Sequence, residues 1–434
     1  MLEPARSGQN ELCSVTTQVA PGVPLMPAAV LWFRGDGVAD ACPRSSSTRV
    51  LREKFMLDET IAGIEIDRTF PGLPGRDYYD DTVWQRERET VFRNSWFCVG
   101  RTEEMPNSGD YVAREVAGTS ILAVRGKDGR VRAFYNVCRH RGSMLCDEGA
   151  GSTKGAFSCP YHNWVYDLEG KLIGTPNVQA GDFDRSDYPL RSVACDVWEG
   201  FVFVHLGTEP RPLLDQLAEE PDGPLEYERY AVGELRVGRR IVYEVKANWK
   251  IIHDNFNECL HCPGVHPELT ALVPMYRKGM VFDPDRPDLG AELADGRTTF
   301  TLSGTSPLPT LPQLTELDVR TYWGYSVFPN VMMNLLSTGA MVYTLYPRGP
   351  AHTTIVSEYL FRPETIEAAE FDCSDMVEFL DLVSVQDWSV CERAQRGVSS
   401  PGFIQGVYPP QDALLQRFAE HYLAVRGPVP ETSS

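Results

Sequence analysis

The chain has 434 residues, 42% of them hydrophobic and 10% aromatic, enough to bury the cores of two domains. Its net charge of -19 would repel nucleic-acid phosphates and suits cationic small molecules or basic partners. No uninterrupted apolar run approaches the ~20 residues of a membrane span, so neither nucleic acid nor a membrane is expected as a partner.

Residues 1–49 carry Pro-rich and Ser-rich patches and one apolar stretch at 23–33, with Arg6 the only positive charge before it. That pattern fits neither a secretory signal nor a periodic helix, so residues 1–55 are expected to be a disordered extension or an artefact of start-site choice. The 11 cysteines are scattered, and without a signal peptide a reducing cytoplasm is the expected compartment. In the segment 56–95, Asp80 or Asp81 can cap a helix whose Val83, Trp84, Val91 and Phe92 fall near one face.

Short strands follow. Residues 120–125 and 131–135 flank the turn Gly126-Lys-Asp-Gly129, residues 164–168 and 171–173 flank Glu169-Gly170, and 201–205 follow Glu199-Gly200. The loops between them hold Cys138-Arg-His140 and Cys159-Pro-Tyr-His162. Two thiolates and two imidazoles in this arrangement match the ligands of a Rieske [2Fe-2S] centre, where histidines replace cysteines on one iron. Structural zinc also takes mixed quartets, but here each loop supplies one Cys and one His, which suits two differently ligated irons. His205, closing the last strand, reads as a structural histidine.

Beyond about Gly207 a second unit begins. Residues 240–245 read as a strand feeding Asn248-Trp249-Lys250-Ile-Ile-His253-Asp254-Asn255-Phe256-Asn257-Glu258-Cys259-Leu260-His261-Cys262-Pro263-Gly264-Val265-His266. Glu258 and His261 share one face if this stretch is helical, and Pro263-Gly264 would then break the helix and let His266 swing back. Two imidazoles plus a distant carboxylate make the facial triad of a non-haem Fe(II) oxygenase, which leaves positions open for dioxygen. Cys259 and Cys262 could be read as half a zinc site, but no second cysteine pair follows, so they are expected to be small buried apolar residues. Residues 279–312 read as loops, residues 322–328, 341–346 and 353–361 as strands, and 365–396 as a helix carrying Asp387, with Asp381 and Glu392 as its local competitors for the carboxylate role.

With both sets of residues in hand, the chain is similar to the catalytic α subunits of Rieske non-haem iron oxygenases over about Tyr78 to Arg426. The Arg-Gly after Cys138-x-His140, the Tyr-His-x-Trp around His162, the Glu-x-x-His-x-x-x-x-His element and the Asp387…Cys-Glu…Gln-x-Gly run carry the resemblance. The interval between the two cluster loops is at the long end for the family. The resemblance implies an α+β fold: a Rieske iron-sulfur β domain at 96–207 and a helix-grip catalytic domain with an antiparallel sheet at 208–428. It implies a [2Fe-2S] cluster on Cys138, His140, Cys159 and His162, mononuclear Fe(2+) on His261, His266 and Asp387, and Glu258 as the carboxylate linking the two across the interface of a homotrimer. Electrons would come from a separate NAD(P)H-dependent flavin and iron-sulfur reductase, because no dinucleotide fingerprint occurs here. Met56 would then make a natural first residue.

A glutamate at 258, where ring-hydroxylating members use aspartate, resembles the subset acting on carnitine, choline and betaines. N-methyl hydroxylation of a quaternary or tertiary amine is therefore the expected reaction. Tyr322, Trp323, Tyr325 and Phe328 are the candidate cage for such a cation, although strand aromatics also serve as core. The alternative is hydroxylation of an aromatic or natural-product scaffold. A simple electron carrier would explain the cluster loops but leave the second histidine site without purpose.

Overall fold

The computed structural model describes residues 69–179, 181–219, 225–281 and 290–429, with the side chains of 219 and 225–227 excepted. The expected extension at 1–55 and the start of the lead-in segment lie outside these residues. Helix α1 spans Asp81–Asn94, and Asp80 caps it, its side chain accepting from the backbone N–H of Thr82 at 2.7 Å and Val83 at 3.2 Å. Its Val83, Trp84, Val91 and Phe92 are buried as the pattern predicts.

A seven-stranded sheet follows in the order Phe97–Arg101, Phe201–His205, Ser192–Trp198, Val131–Tyr135, Thr119–Arg125, Asp110–Val116, Gly149–Ser152, every pair antiparallel. The strand Phe97–Arg101 escapes sequence reading because all five residues are buried and nothing alternates. A smaller antiparallel sheet of Ala156–Ser158, Val165–Asp167 and Leu172–Gly174 holds the second Cys/His pair at its edge. His205 is structural as expected, accepting from the backbone N–H of Gly207 at 3.0 Å and packing edge-on against Trp96.

The second sheet has six antiparallel strands in the order Arg236–Val245, His352–Phe361, Gly339–Gly349, Val331–Leu336, Thr321–Val327, Ala291–Glu292. Helix α2, Trp249–Phe256, leaves the first of these strands with Asn248 as its cap. Helix α3, Ser374–Val398, lies across the sheet: Trp388 packs edge-on against Tyr243 and Tyr343, and Ser384 bonds the Tyr343 hydroxyl at 2.7 Å. An antiparallel sheet gripping a long helix is the expected α+β arrangement.

Two features depart from expectation. The single helix read over 365–396 is broken between Pro363–Ile366 and α3, because Asp372 accepts from the Ser374 backbone N–H at 2.9 Å and starts a fresh helix. A further helix, α4 at Ala413–Arg426, packs against α1 and was not foreseen. The two helices share a buried carboxylate with α2. Glu87 pairs with Lys250 at 2.5 Å and accepts from the Tyr422 hydroxyl at 2.7 Å, and both charged side chains are at most 1% exposed.

The two sheets are tied together. Glu104 pairs with Arg114 of the first sheet at 2.9 Å and with Arg240 of the second at 3.3 Å, and Arg240 also reaches Glu358 at 2.5 Å. The Asn330 side chain accepts from the Cys98 backbone N–H and donates to the Cys98 carbonyl, both at 2.9 Å.

Candidate iron sites

The two Cys/His loops are built alike. In the first, the Cys138 carbonyl accepts from Gly142 N–H at 3.0 Å and Cys138 N–H donates to the Ser143 carbonyl at 2.8 Å. In the second, the Cys159 carbonyl accepts from Asn163 N–H at 3.0 Å and Cys159 N–H donates to the Trp164 carbonyl at 2.8 Å. Each turn closes on a left-handed residue, Gly142 at φ 75° and Asn163 at φ 55°, which glycine and asparagine tolerate best. The repeated turn aims the cysteine and the histidine of each loop the same way.

Cys138 and Cys159 are buried and close enough to interact, while the His140 and His162 rings sit 4.6 Å apart. Burial raises the Cys138 thiol. At Cys159 burial pushes the same way, but the backbone N–H groups of Tyr161 and His162 outweigh it and lower the thiol. His140 stacks flat on Trp164 at 4.7 Å, and its Nδ1 is buried with no hydrogen-bond partner among the described residues. Two thiols facing each other beside two imidazoles, one with an orphaned ring nitrogen, fit a two-iron cluster. Sequence reading missed Tyr166, whose hydroxyl lies 3.3 Å from Cys138 Sγ and accepts from Arg139 N–H at 3.0 Å.

At the second site the chain takes a different path from the one expected. Helix α2 ends at Phe256, so Glu258 and His261 are not on one helical face; a turn brings them together instead. The Glu258 carboxylate contacts Nδ1 of His261 and accepts from the Leu260 N–H and, at 3.4 Å, from the His261 N–H. Pro263-Gly264 does not break a helix. It opens a short one at Cys262–Val265, where proline fits because first-turn N–H groups need no intrahelical partner. Cys259 and Cys262 are buried as expected, but they are joined as a disulfide rather than packed as free thiols.

His266 Nε2 stands 4.0 Å from Asp387 Oδ2, and His261 lies near enough to influence His266. Burial pushes the His261 imidazole down to about 3 and drives His266 lower still, so both rings are neutral, the form a metal binds. The competing carboxylates are engaged elsewhere: Asp381 accepts from the Tyr243 hydroxyl and Glu392 from the Lys246 N–H. Among the described residues no three His, Cys, Asp or Glu side chains close into a finished coordination sphere. Neutral imidazoles with a carboxylate beside them nevertheless fit a two-histidine, one-carboxylate iron. Asn255, also missed, donates to His261 Nε2 at 3.2 Å.

Two cavities meet at this site. A small one beside Asp387 is walled by Phe256, Phe300, Asn334, Tyr343 and Trp388. A wider, more open groove is lined by Tyr78, Asp254, Glu258, Leu260, His261 and Tyr408. The expected aromatic cage lines neither of these. Tyr322 stacks behind Phe300 at 4.4 Å, Trp323 Nε1 donates to Thr321, Tyr325 packs on Trp198, and Phe328 packs on Trp249. Among the described residues only Asn255 lines both cavities, with Asp254 of α2 on the groove side and Phe256 on the other.

Comparison with known proteins agrees with this geometry. Residues 95–194 match the Rieske [2Fe-2S] domain and residues 232–426 the catalytic domain of the ring hydroxylating alpha subunit. The carnitine monooxygenase oxygenase subunit of Escherichia coli is 30% identical, over 76% of this chain and 85% of its own. The glycine betaine monooxygenase oxygenase subunit of Chromohalobacter salexigens is 29% identical, over 77% of this chain and 81% of its own. Among solved structures, the quaternary ammonium Rieske monooxygenase CntA superposes with a TM-score of 0.66 at 26% identity, covering 82% of this chain and 96% of its own.

Two iron-binding regions on a β domain and a helix-grip domain define a Rieske-type oxidoreductase. The chain belongs to the Rieske non-haem iron oxygenases, as a catalytic α subunit whose cofactors are a [2Fe-2S] cluster and a mononuclear iron.

Proposed function

We propose that this chain is the oxygenase component of an N-demethylating monooxygenase acting on a quaternary or tertiary methylamine, divided near residue 207 into a cluster domain and a catalytic domain. Cys138, His140, Cys159 and His162 hold the cluster; His261, His266 and Asp387 hold the iron. The observation that carries the substrate reading is the ring-walled cavity beside Asp387, since aromatic faces attract a methylated ammonium by cation–π interaction. The carnitine and glycine betaine monooxygenases among its relatives support the same chemistry.

When bound, the cluster supplies single electrons and the mononuclear iron activates dioxygen. The chain's own residues prepare the setting. Glu258 holds His261 through Nδ1, while Nε2, the nitrogen that would hold the iron, meets the Asn255 amide at 3.2 Å; Glu258 also lines the open groove, where a second copy of the chain in a homotrimer can approach. Phe256, Phe300, Tyr343 and Trp388 exclude water around the reacting methyl group. In the net reaction the methyl carbon gains one oxygen atom of dioxygen, and the other leaves as water after taking up two electrons and two protons. The resulting hemiaminal breaks its C–N bond, giving formaldehyde and the demethylated amine. The electrons come from an NAD(P)H-dependent flavin and iron-sulfur reductase in the cytoplasm. No helix of the described residues is long and apolar enough to cross a membrane.

The test is to reconstitute the enzyme with a reductase and to assay formaldehyde and hydroxylated products from a panel of trimethylammonium and aromatic compounds under labelled dioxygen. Formaldehyde formed in stoichiometric amount with the demethylated amine and the dioxygen consumed supports the proposal. Labelled hydroxylated aromatic product without formaldehyde would assign the chain to ring hydroxylation instead, and about two irons per chain rather than about three would reduce it to a carrier.

A further inference from the structure

Trp388 follows Asp387 on α3 and its ring forms part of the cavity wall, only 8% exposed. Three other buried indoles each donate their N–H: Trp96 to the Arg211 carbonyl at 2.9 Å, Trp249 to Glu87 at 3.4 Å and Trp323 to Thr321 at 3.1 Å. The Trp388 Nε1–H is as buried as these and has no acceptor among the described residues. A buried indole N–H left unpaired costs the desolvation of a donor with nothing in return, which native folds avoid unless something else occupies the acceptor position.

The ring is held firmly, wedged edge-on between Tyr343 at 5.5 Å and Tyr243 at 5.9 Å, so it cannot turn away to find a partner cheaply. The hydroxyls of those tyrosines bond Asp381 and Ser384, and neither makes a hydrogen bond with the indole N–H. The two amides of the wall are engaged as well: Asn334 accepts from the Tyr322 hydroxyl and Asn255 donates to His261 Nε2 at 3.2 Å. A residue of the cavity wall therefore carries a fixed donor without an acceptor among the described residues.

We propose that Trp388 is a specificity-determining residue whose indole N–H donates a hydrogen bond to an oxygen acceptor on the substrate, as a carboxylate, carbonyl or hydroxyl would provide. The proposal deepens the reading above and rests on it for one point only, that the cavity beside Asp387 receives the substrate. A site that offers a buried donor discriminates against analogues lacking the acceptor, because binding them leaves the donor unpaired. An amine bearing an oxygen acceptor away from its N-methyl group is thus preferred over a purely alkyl one.

The test compares wild type with Trp388→Phe in the reconstituted holoenzyme, using γ-butyrobetaine and (4-methylpentyl)trimethylammonium, in which two methyl groups replace the carboxylate oxygens. Retention of the cluster's visible absorption reports folding. Trp388→Phe should raise KM, and the Kd from equilibrium dialysis, about tenfold for γ-butyrobetaine, with kcat changed less than about threefold, and should raise them for the alkyl compound only by the smaller factor, about threefold or less, that the lost ring area costs both compounds. Incorporating 3-benzothienyl-alanine at position 388 keeps the fused ring without its N–H and should give the same selective loss even if the phenylalanine variant does not fold. Equal effects on the two compounds, or none, overturn the proposal. If wild type neither binds nor oxidises either ammonium compound, the amine reading fails. Benzoate and isopropylbenzene then form the corresponding pair, and the absence of an acceptor-selective loss there overturns the role of Trp388.

Discussion

The Glu258 carboxylate lies directly against Nδ1 of His261, and the turn that sets this contact is stabilised by the same carboxylate accepting backbone N–H groups from Leu260 and His261. One side chain thereby fixes both the loop and the imidazole it carries, and still shows a face to the open groove. A residue placed this way can be altered in charge with little change in shape.

Glu258→Gln keeps the size and the hydrogen-bonding oxygen but removes the negative charge. Iron content and cluster absorption should remain at wild-type levels, while the rate of cluster reoxidation in a stopped-flow single turnover falls at least about tenfold. An unaltered rate would remove Glu258 from any linking role.

His261→Ala removes one proposed iron ligand far from the cluster loops. The visible spectrum of the reduced and oxidised cluster should be preserved, iron should fall from about three to about two per chain, and product formation should stop. Residual turnover with full iron content would show that the ligand lies elsewhere.

Asp254 is pushed up to about 7 by burial, against the opposing Tyr78 hydroxyl hydrogen bond and the Lys250 charge, with Asp412 and Tyr408 also facing it. The folded pKa is raised above the unfolded value of 3.8, so the folded chain holds this proton more tightly. The stability contributed is complete below the unfolded pKa and is lost as pH rises through about 7. Asp254→Asn can still accept from Tyr78 and has no proton to lose. The Tm difference, variant minus wild type, should therefore increase between about pH 5 and about pH 8, and a difference independent of pH would refute the assignment.

Lys250→Met leaves Glu87 charged, buried and short of its cationic partner. Denaturant unfolding should show a loss of about 3–5 kcal/mol, and adding Glu87→Gln should recover part of it because the stranded charge is gone. Additive losses in the double variant would mean that the pair is not coupled.

The candidate ligands of both sites stand out in the sequence because they are rare side chains at short spacing: Cys138 with His140, Cys159 with His162, His261 with His266. Their supports do not. Tyr166 and Trp164 reach the cluster through strand pairing that only the folded sheet reveals. Tyr322, Trp323, Tyr325 and Phe328 are conspicuous as a run of aromatics yet serve as core, the other reading the sequence offers, whereas the rings that wall the cavity, Phe300, Tyr343 and Trp388, come from a loop, another strand and α3. The end of α2 at Phe256 is not legible in the Glu-x-x-His spacing, which satisfies a turn as well as a helix. Conversely, Asp372 two residues before Ser374 was a readable start signal inside the stretch taken as one helix.

Asn330 sits beside the second sheet's strands yet bonds to both backbone groups of Cys98 in the first, and Glu104 joins arginines from each. A polar seam of this kind should make the two halves melt as one cooperative body. Bleaching of the cluster's colour on heating should then coincide with loss of far-ultraviolet helicity, and grafting a foreign iron-sulfur module onto this catalytic sheet would require transplanting Glu104 and Arg114 along with a strand whose backbone meets Asn330.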